Sequence, residues 1–423
     1  MAVQVNIATI LPALEQISET ALRVQFEQEP ATYNMFEQDT ESRFVNGKGF
    51  RIPSYLLPPT GIGSIGDGGS FKQPGAQVFD DMYIAPKNLT MAFELTGRML
   101  RNANDASSLL KGLSGQLELQ TQALRKEANI QVFNDGTGVR SIFKSNSSGV
   151  LTLYNAIDHT PTTAAQVTKG GVHMRVGESY DWYDPTLAIY RTTITPSAKT
   201  NKTITIASGA VPGTTLDGDI LVLSTTLYKA PNGLAHIVNN DTGTFQLQSR
   251  STYPQLRSPV TDLAGAAIQV STFSYTKRLL EARAGVGKAK KVMAILSLAQ
   301  DDALTRLGQN YKRFDGDAKK FDGSFDAFGH GDTLFHKDGD VGESDIWLVV
   351  PSEIKRFVEK PFGLYDHDGN TLRMRSGITG YGSDAWTGAI GAHYNYGTPE
   401  PRCMAAIKRC AVTGLATQVA ANA

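Results

Sequence analysis

Apolar positions recur at helical spacing in two places before residue 135. Over residues 11–28, Leu14, Ile17, Ala21 and Val24 fall near one face, Glu15, Glu19 and Arg23 lie off it, and Pro30 ends the pattern. Over residues 105–134, Leu110, Leu113, Leu117, Leu124 and Ala128 repeat the period. Asn104 or Asp105 caps the start, and Asp135-Gly136 closes the end. At 1.5 Å rise per residue this second rod is about 45 Å long. Gly112 and Gly115 weaken it locally, so it needs a packing partner.

Between the two rods the pattern changes to that of extended chain. Phe44 to Pro53 reads as a strand with a turn signal at Asn46-Gly47, and Tyr83 to Leu95 as a returning limb. Pro58-Pro59 and the glycine-rich run Gly61 to Gly69 separate them, which predicts two extended limbs joined by a long tip. A tip of that length usually has a job of its own. Further on, Leu187–Tyr190, Lys202–Ile206 and Asp219–Leu223 are short β runs punctuated by Gly and Pro. The remainder reads as α+β. A helix is expected near 274–284, a strand over Lys291–Leu296, a helix near 298–309, a loop over 314–345 and a buried strand from Ile346 to Val350. Ser352 would then cap a short helix to about Lys360, and Cys403 to Leu415 would form a final strand, with Cys403 and Cys410 on opposite faces.

Composition narrows the classes. Lys+Arg and Asp+Glu both number 41, so the formal charge is zero and the chain as a whole has no strong electrostatic reason to grip nucleic acid. The same neutrality removes one barrier to self-association. Two cysteines make neither a disulfide framework nor a zinc site. No basic, apolar leader opens the sequence, and no apolar run is long enough to span a bilayer.

Motifs that look chemical lack their context. Gly61-Ile62-Gly63-Ser64-Ile65-Gly66 spells G-x-G-x-x-G, but Pro58-Pro59 precedes it and Asp67-Gly68-Gly69 follows, so no strand feeds it and no helix follows it to hold a phosphate. Gly285-Val286-Gly287-Lys288 lacks both the loop length and the Ser or Thr of a phosphate loop; with Lys290 and Lys291 it reads as a solvated basic turn. Asp366-His367-Asp368-Gly369 brings its glycine two positions early for a calcium loop, and His330, Asp332, His336 and Asp338 match no standard metal spacing. No catalytic, cofactor-binding or metal-ligating residue is therefore assigned, and an enzyme is not expected.

The order of elements carries more than any single motif. An arm, a long glycine-rich hairpin, a long helix ending in Asn134-Asp135-Gly136-Thr137-Gly138, an α+β body and a closing strand follow one another. Phe50-Arg51-Ile52-Pro53 and Gly68 to Gly75 are similar to extended-loop limbs. Leu216-Asp217-Gly218-Asp219, Asn232-Gly233-Leu234 and Ser249 to Pro254 are similar to a branch with a β-rich insertion. The whole resembles the major capsid proteins of tailed bacteriophages with the Hong Kong 97-type fold. The resemblance implies an α+β chain divided as follows: N-terminal arm 1–42, extended loop 43–92, peripheral domain with the spine helix 93–140, body 141–175, inserted β-rich subdomain 176–226, and axial domain with the rest of the peripheral domain 227–423. It also implies subunit contacts through Ile62, Ile65, Phe71 and Lys72 on the loop and through Leu14 and Ile17 on the arm. An apolar loop tip is a liability on a monomer and becomes an interface once laid on a neighbour.

The function implied is an icosahedral head shell of pentamers and hexamers in a virion, made in the host cytoplasm and enclosing double-stranded DNA without reading its sequence. A portal protein and possible decoration proteins would be its partners. The alternative of the same fold is the shell of a cellular encapsulin-type nanocompartment, which would hold an enzyme in place of a genome. Some members of the fold cross-link a loop lysine to a neighbour's asparagine; Lys72 and Asn395 would be the pair here, though most members do without that bond. Only about forty residues precede the loop, too few for a built-in scaffold, so a separate scaffolding protein and a subunit that keeps its N-terminus are expected. Mass spectrometry of subunits from mature particles should return the full-length chain.

Overall fold

The computed structural model describes residues 31–45, 47–57, 60–73, 75, 78–96, 120–121, 123–154, 170–207, 211–213, 217–311, 333–365, 373–376 and 382–412. The architecture is α+β, as the hydrophobic pattern predicts. The arm helix over 11–28, residues 105–119 of the long helix and the greater part of the 314–345 loop lie outside the described residues.

One long antiparallel pairing organises the body. Lys87–Thr96 lies against Gly382–Gly397 in unbroken register, from Lys87 opposite Tyr394 to Thr96 opposite Ala385. Along its length Gly382–Gly397 also pairs with Lys355–Leu364 and Arg373–Ser376, and Glu37–Gln38 adds a parallel strand on the far side of Lys355–Leu364. Residues 123–132 of the long helix pack on this sheet. Leu124, Ala128, Ile130 and Val132 share one core with Leu89, Phe93, Ile390, Tyr394 and Tyr396. The helix expected after Ser352 is not there: a short 3-10 turn, Pro351–Glu353, leads into the strand. Ladder hydrogen bonds to Gly382–Gly397 and the burial of Phe357 and Phe362 outweigh the local helical pattern.

A second unit is a five-stranded mixed sheet in the order Val260–Asp262, Ala405–Lys408, Ile346–Val349, Met293–Leu296, Leu334–Lys337. Val270–Ala284 and Leu298–Tyr311 are its helices, and Phe273, Leu280, Ala303 and Leu304 share a core with Ala294, Leu296, Leu348 and Ile407. The closing strand is shorter than expected, four residues in place of thirteen. Pro401–Cys403 is a 3-10 turn, and Arg409 at φ 55° breaks the pleat. Alternation therefore does not separate the cysteines: Cys403 and Cys410 are both fully buried in that same core as free thiols.

The third unit is a seven-stranded antiparallel sheet ordered Ala198–Lys199, Thr203–Thr205, Val150–Tyr154, Val139–Ser147, Ile220–Leu223, Tyr180–Tyr183, Tyr190–Ile194. An inserted subdomain bounded at 176 and 226 would have its strands pair among themselves. They do not: Ile220–Leu223 pairs with Val139–Ser147, and Thr203–Thr205 pairs with Val150–Tyr154. The sheet thus takes in residues placed at the helix end and in the 141–175 body. Among the described residues it joins no strand of the other sheets. The expected run Leu187–Tyr190 is a turn up to Ile189, held by Asp184, whose carboxylate accepts from the backbone N–H groups of Ala188 and Ile189, both at 2.8 Å. Alternation is strict where both faces are covered. Ile220 and Val222 face one cluster with Val139 and Ile142; Leu221 faces the other with Trp182 and Phe143. Asp219, fully buried, accepts from Trp182 Nε1 at 3.0 Å and takes both Arg191 Nε and Nη2 at 3.0 Å, so its charge is paired.

Two buried histidines make this fold acid-sensitive. Burial, with Arg140, Lys126 and Lys199 adding to it, pushes His173 down to about 3. Burial, then Arg250 and Lys87 against the opposing Asp241, pushes His236 down to about 4. An unfolded histidine takes its proton near pH 6.5, so between there and the folded values the unfolded chain binds more protons. Stability is then lost as pH falls, by about 1.4 kcal/mol per pH unit per histidine at full slope. Urea unfolding at pH 6.5, 6.0, 5.5 and 5.0 should show this decline, and His173→Gln should flatten its slope by about one proton.

Candidate assembly surfaces

The hairpin is built outward from a buried root. Gly49–Leu57 and Val78–Ile84 pair antiparallel, with Arg43–Val45 as a third strand. At the root Phe50, Ile52, Met82 and Ile84 are buried in the body core, and the Phe50 ring lies 5.6 Å from that of Phe357. Gly49, at φ 102°, passes so close to the Ile84 carbonyl that no β-carbon fits there. A small hairpin, Thr244–Phe245 and Gln248–Ser249, braces the root: Tyr83 N–H donates to the Gln246 carbonyl at 3.1 Å, and Gln248 Nε2 donates to the Asp81 carbonyl at 2.9 Å. That brace depends on Arg250, which is buried and donates to Asp241 at 2.7 Å and to the His236, Ile237 and Leu256 carbonyls.

Beyond the paired limbs, the described tip residues 60–73 carry no strand or helix. Gly69 N–H donates to the Gly66 carbonyl at 2.9 Å, and Gly75 N–H to the Thr60 carbonyl at 3.0 Å, so the tip closes on itself. Ile62 and Phe71 are each 88% exposed and Ile65 is 44% exposed. Lys72 is exposed, its Nζ 3.5 Å from the Ile62 carbonyl. The four loop residues singled out in the sequence are thus together on one exposed tip. The G-x-G-x-x-G run is part of that tip: the strand Gly49–Leu57 ends shortly before it, but among the described residues no helix follows to hold a phosphate. Leu14 and Ile17 lie outside the described residues.

The helix end is a built corner. Asn134 Oδ1 accepts from Gly136 N–H at 2.9 Å and Gly138 N–H at 3.2 Å, and Asp135 Oδ1 accepts from Thr137 N–H at 2.9 Å. Gly136 sits at φ 91° against the Asn232 side chain, where a β-carbon would collide. Just before the corner, Glu127 pairs with Arg140 of the seven-stranded sheet and lies 3.4 Å from Arg175, and it accepts from Gln131 Nε2 at 2.9 Å. Tyr394 of the long strand donates to Gln131 Oε1 at 3.0 Å. One carboxylate therefore ties the helix to the seven-stranded sheet and, through Gln131, to the body sheet. Burial pulls the Arg140 guanidinium down to about 10. Upstream, the arm's root is tied in the same way. Tyr33 N–H donates to Asn129 Oδ1 at 3.3 Å, Thr32 donates to Asp338, and Asn129 Nδ2 donates to Asp338 at 3.0 Å and Asp340 at 2.9 Å. Nothing in the sequence pattern pointed to Glu127, Asn129 or Arg250: Asn129 has partners more than two hundred residues away, and Arg140 and Asp241, the ion-pair partners of Glu127 and Arg250, follow no helical or turn spacing that would single these residues out.

The remaining chemical candidates resolve into structure. Asp338 is occupied by Thr32 and Asn129, and among the described residues no three His, Cys, Asp or Glu side chains come together as metal ligands. His330, Asp332 and the stretch 366–369 lie outside the described residues. Lys288 is not a free turn lysine: its Nζ pairs with Glu400 at 2.7 Å and Glu353 at 3.2 Å. Asn395, the acceptor considered for a cross-link, is 1% exposed and already committed. Its Oδ1 accepts from Asn232 N–H at 2.7 Å and its Nδ2 donates to the Ala85 carbonyl at 2.7 Å. Attack by a neighbour's Lys72 would have to break both bonds.

No family model matches the sequence, and no curated protein matches it. Solved structures do match. A chain of the cyanophage A-1(L) capsid asymmetric unit superposes with a TM-score of 0.53 at 11% identity, covering 90% of this chain and 93% of that one. A chain from the capsid of the native GTA particle gives 0.47 at 9% identity, with 91% of each chain covered. A Mycobacterium phage Bobi chain gives 0.40 at 10% identity, with 89% of each covered. The first of these shows that this chain shares the fold of a phage capsid subunit along nearly its whole length.

The two ends of the considered cross-link should behave differently on substitution. Asn395→Ala removes the partner of the Asn232 N–H, of the buried Tyr396 N–H and of the Ala85 carbonyl, and should lower the stability of the chain by about 1–3 kcal/mol. Lys72→Met should stay within about 0.5 kcal/mol of the wild type. Paired urea titrations of the purified subunit measure both.

Proposed function

We propose that this chain is the major capsid protein of a tailed double-stranded DNA bacteriophage. One observation carries the reading: over nine-tenths of both chains the fold is that of a cyanophage capsid subunit. The exposed apolar tip on a buried root supports it, since Ile62, Ile65 and Phe71 would be covered by a second copy of the chain. In this reading the hairpin 43–92 is the extended loop, the helix ending at Asn134 is the spine, the sheet carrying Val270–Ala284 is the axial domain, and the seven-stranded sheet is the inserted subdomain. Leu14 and Ile17 would add contacts from the arm. The insertion favours a phage shell over an encapsulin-type compartment, which holds a protein cargo.

The shell would be a non-enzymatic, virion-borne container assembled from pentamers and hexamers, with a separate scaffolding protein and a portal at one vertex and with room for decoration proteins. The subunit would be made in the host cytoplasm. Co-expression with the neighbouring head genes followed by negative-stain microscopy tests it: closed, uniform shells containing this chain are expected, and a chain that stays a small monomer under those conditions overturns it. Deleting Gly61 to Gly69 should leave the circular dichroism of the subunit unchanged and abolish stable shells, because the tip contributes no buried side chain to its own subunit.

A further inference from the structure

The chain is neutral overall, but its charge is not evenly spread. The segment Val270 to Lys291 holds six basic residues, Lys277, Arg278, Arg283, Lys288, Lys290 and Lys291, against a single acid, Glu281. Its local charge is therefore +5, and the rest of the chain carries the compensating −5. The segment is the helix Val270–Ala284 followed, after Gly285, by the short helix Val286–Ala289. Its inner side is fixed in the core by Phe273, Leu280 and Ala289. Arg278, Arg283, Lys290 and Lys291 are exposed, and Lys277 is half-buried. Lys288 is spent internally on Glu353 and Glu400. Among the described residues, no ion pair takes up Lys277, Arg278, Lys290 or Lys291, while the lone Arg283 contact is to the Arg257 carbonyl, which leaves its charge unneutralised.

A helix C-terminus favours cations through its dipole, but that effect is confined to the last turn and is served by one or two of them. Retaining so many unpaired cations within one 22-residue segment raises mutual repulsion, which a polyanion relieves. Gly285 and Gly287 stand next to the basic residues with open space where a side chain would be, so the surface offers charge without a shaped pocket. That is the chemistry of phosphate-backbone contact, which needs point charges and no base readout. An acidic protein segment would be better matched by an apolar groove flanked by charge.

We propose that this basic surface binds the phosphate backbone of double-stranded DNA without sequence preference, and that it is the place where the shell meets its enclosed genome. The inference rests on the capsid reading, and the experiment separates the two. Fluorescence anisotropy of a 30-base-pair duplex with the full-length subunit, at 50 and 200 mM salt, should show weak, strongly salt-dependent binding. Each phosphate contact adds about 0.9 to the log–log salt slope, so a slope of about −3 to −4 is expected. Lys290→Glu/Lys291→Glu should weaken binding at least tenfold and reduce the slope by about two. Lys144→Glu/Lys202→Glu, on the seven-stranded sheet, should bind as the wild type. Circular dichroism checks that each variant is folded, and microscopy of co-expressed heads reads shell formation independently. Equal duplex binding by the Lys290/Lys291 variant and the wild type overturns the inference while normal shells leave the capsid reading standing. Binding of polyglutamate with none of the duplex also overturns it and points to an acidic protein. Absence of shells from the wild-type chain defeats the capsid reading itself.

Discussion

Ten residues, Lys87 to Thr96, run antiparallel to the far end of the chain, Ala385 to Tyr394, and the other parts of the subunit hang on that ladder. It places the returning limb of the hairpin beside the last long strand, so the hairpin root has a core to sink into. It gives the long helix a sheet to lie on. It also brings Tyr394 within hydrogen-bond reach of Gln131, which begins the chain of contacts to Glu127 and the seven-stranded sheet. A pairing across nearly three hundred residues is costly in loop-closure entropy, and it holds because one face of the ladder is buried where Leu89, Phe93, Ile390 and Tyr394 meet the core, while Asn88, Thr90, Ala92 and Glu94 on the other face are exposed.

Rigidity and exposure are divided accordingly. Side chains that turn the chain or fix one unit against another, such as Arg250, Asn134, Asn395 and Glu127, are buried and each satisfies several backbone or charged groups at once. Losing any of them strands a partner in a dry interior, which is expensive. The loop tip is the opposite: self-closed by two backbone hydrogen bonds, with its apolar residues turned to solvent. The root is rigid and the tip is uncovered.

Charge follows the same division. Buried ions are paired, as Asp219 is with Arg191 and Glu127 is with Arg140, and buried histidines stay neutral. Several of the remaining cations lie on and just after the helix Val270–Ala284 of the second unit. Zero net charge is therefore a sum over unlike surfaces and says nothing about any one of them.

Much of this was legible in the sequence where a local rule decides. The hairpin with its glycine-rich tip, the two helices of the mixed sheet, the strands Met293–Leu296 and Ile346–Val349, and the Asp135-Gly136 corner all follow from periodicity, turn chemistry and glycine's freedom. Tertiary structure decided the rest, most often because a distant partner outweighed the local pattern. Lys355–Leu364 is a strand because Gly382–Gly397 supplies its ladder. Cys403 and Cys410 share a core because Arg409 breaks the strand whose alternation would have parted them. The seven-stranded sheet begins at Val139 because Ile220–Leu223 and Thr203–Thr205 pair with strands of the segment 139–154. Asn395 looked available in the sequence and is fully committed in the fold, since the backbone groups it satisfies, on Asn232 and Ala85, are brought to it only by the packed body.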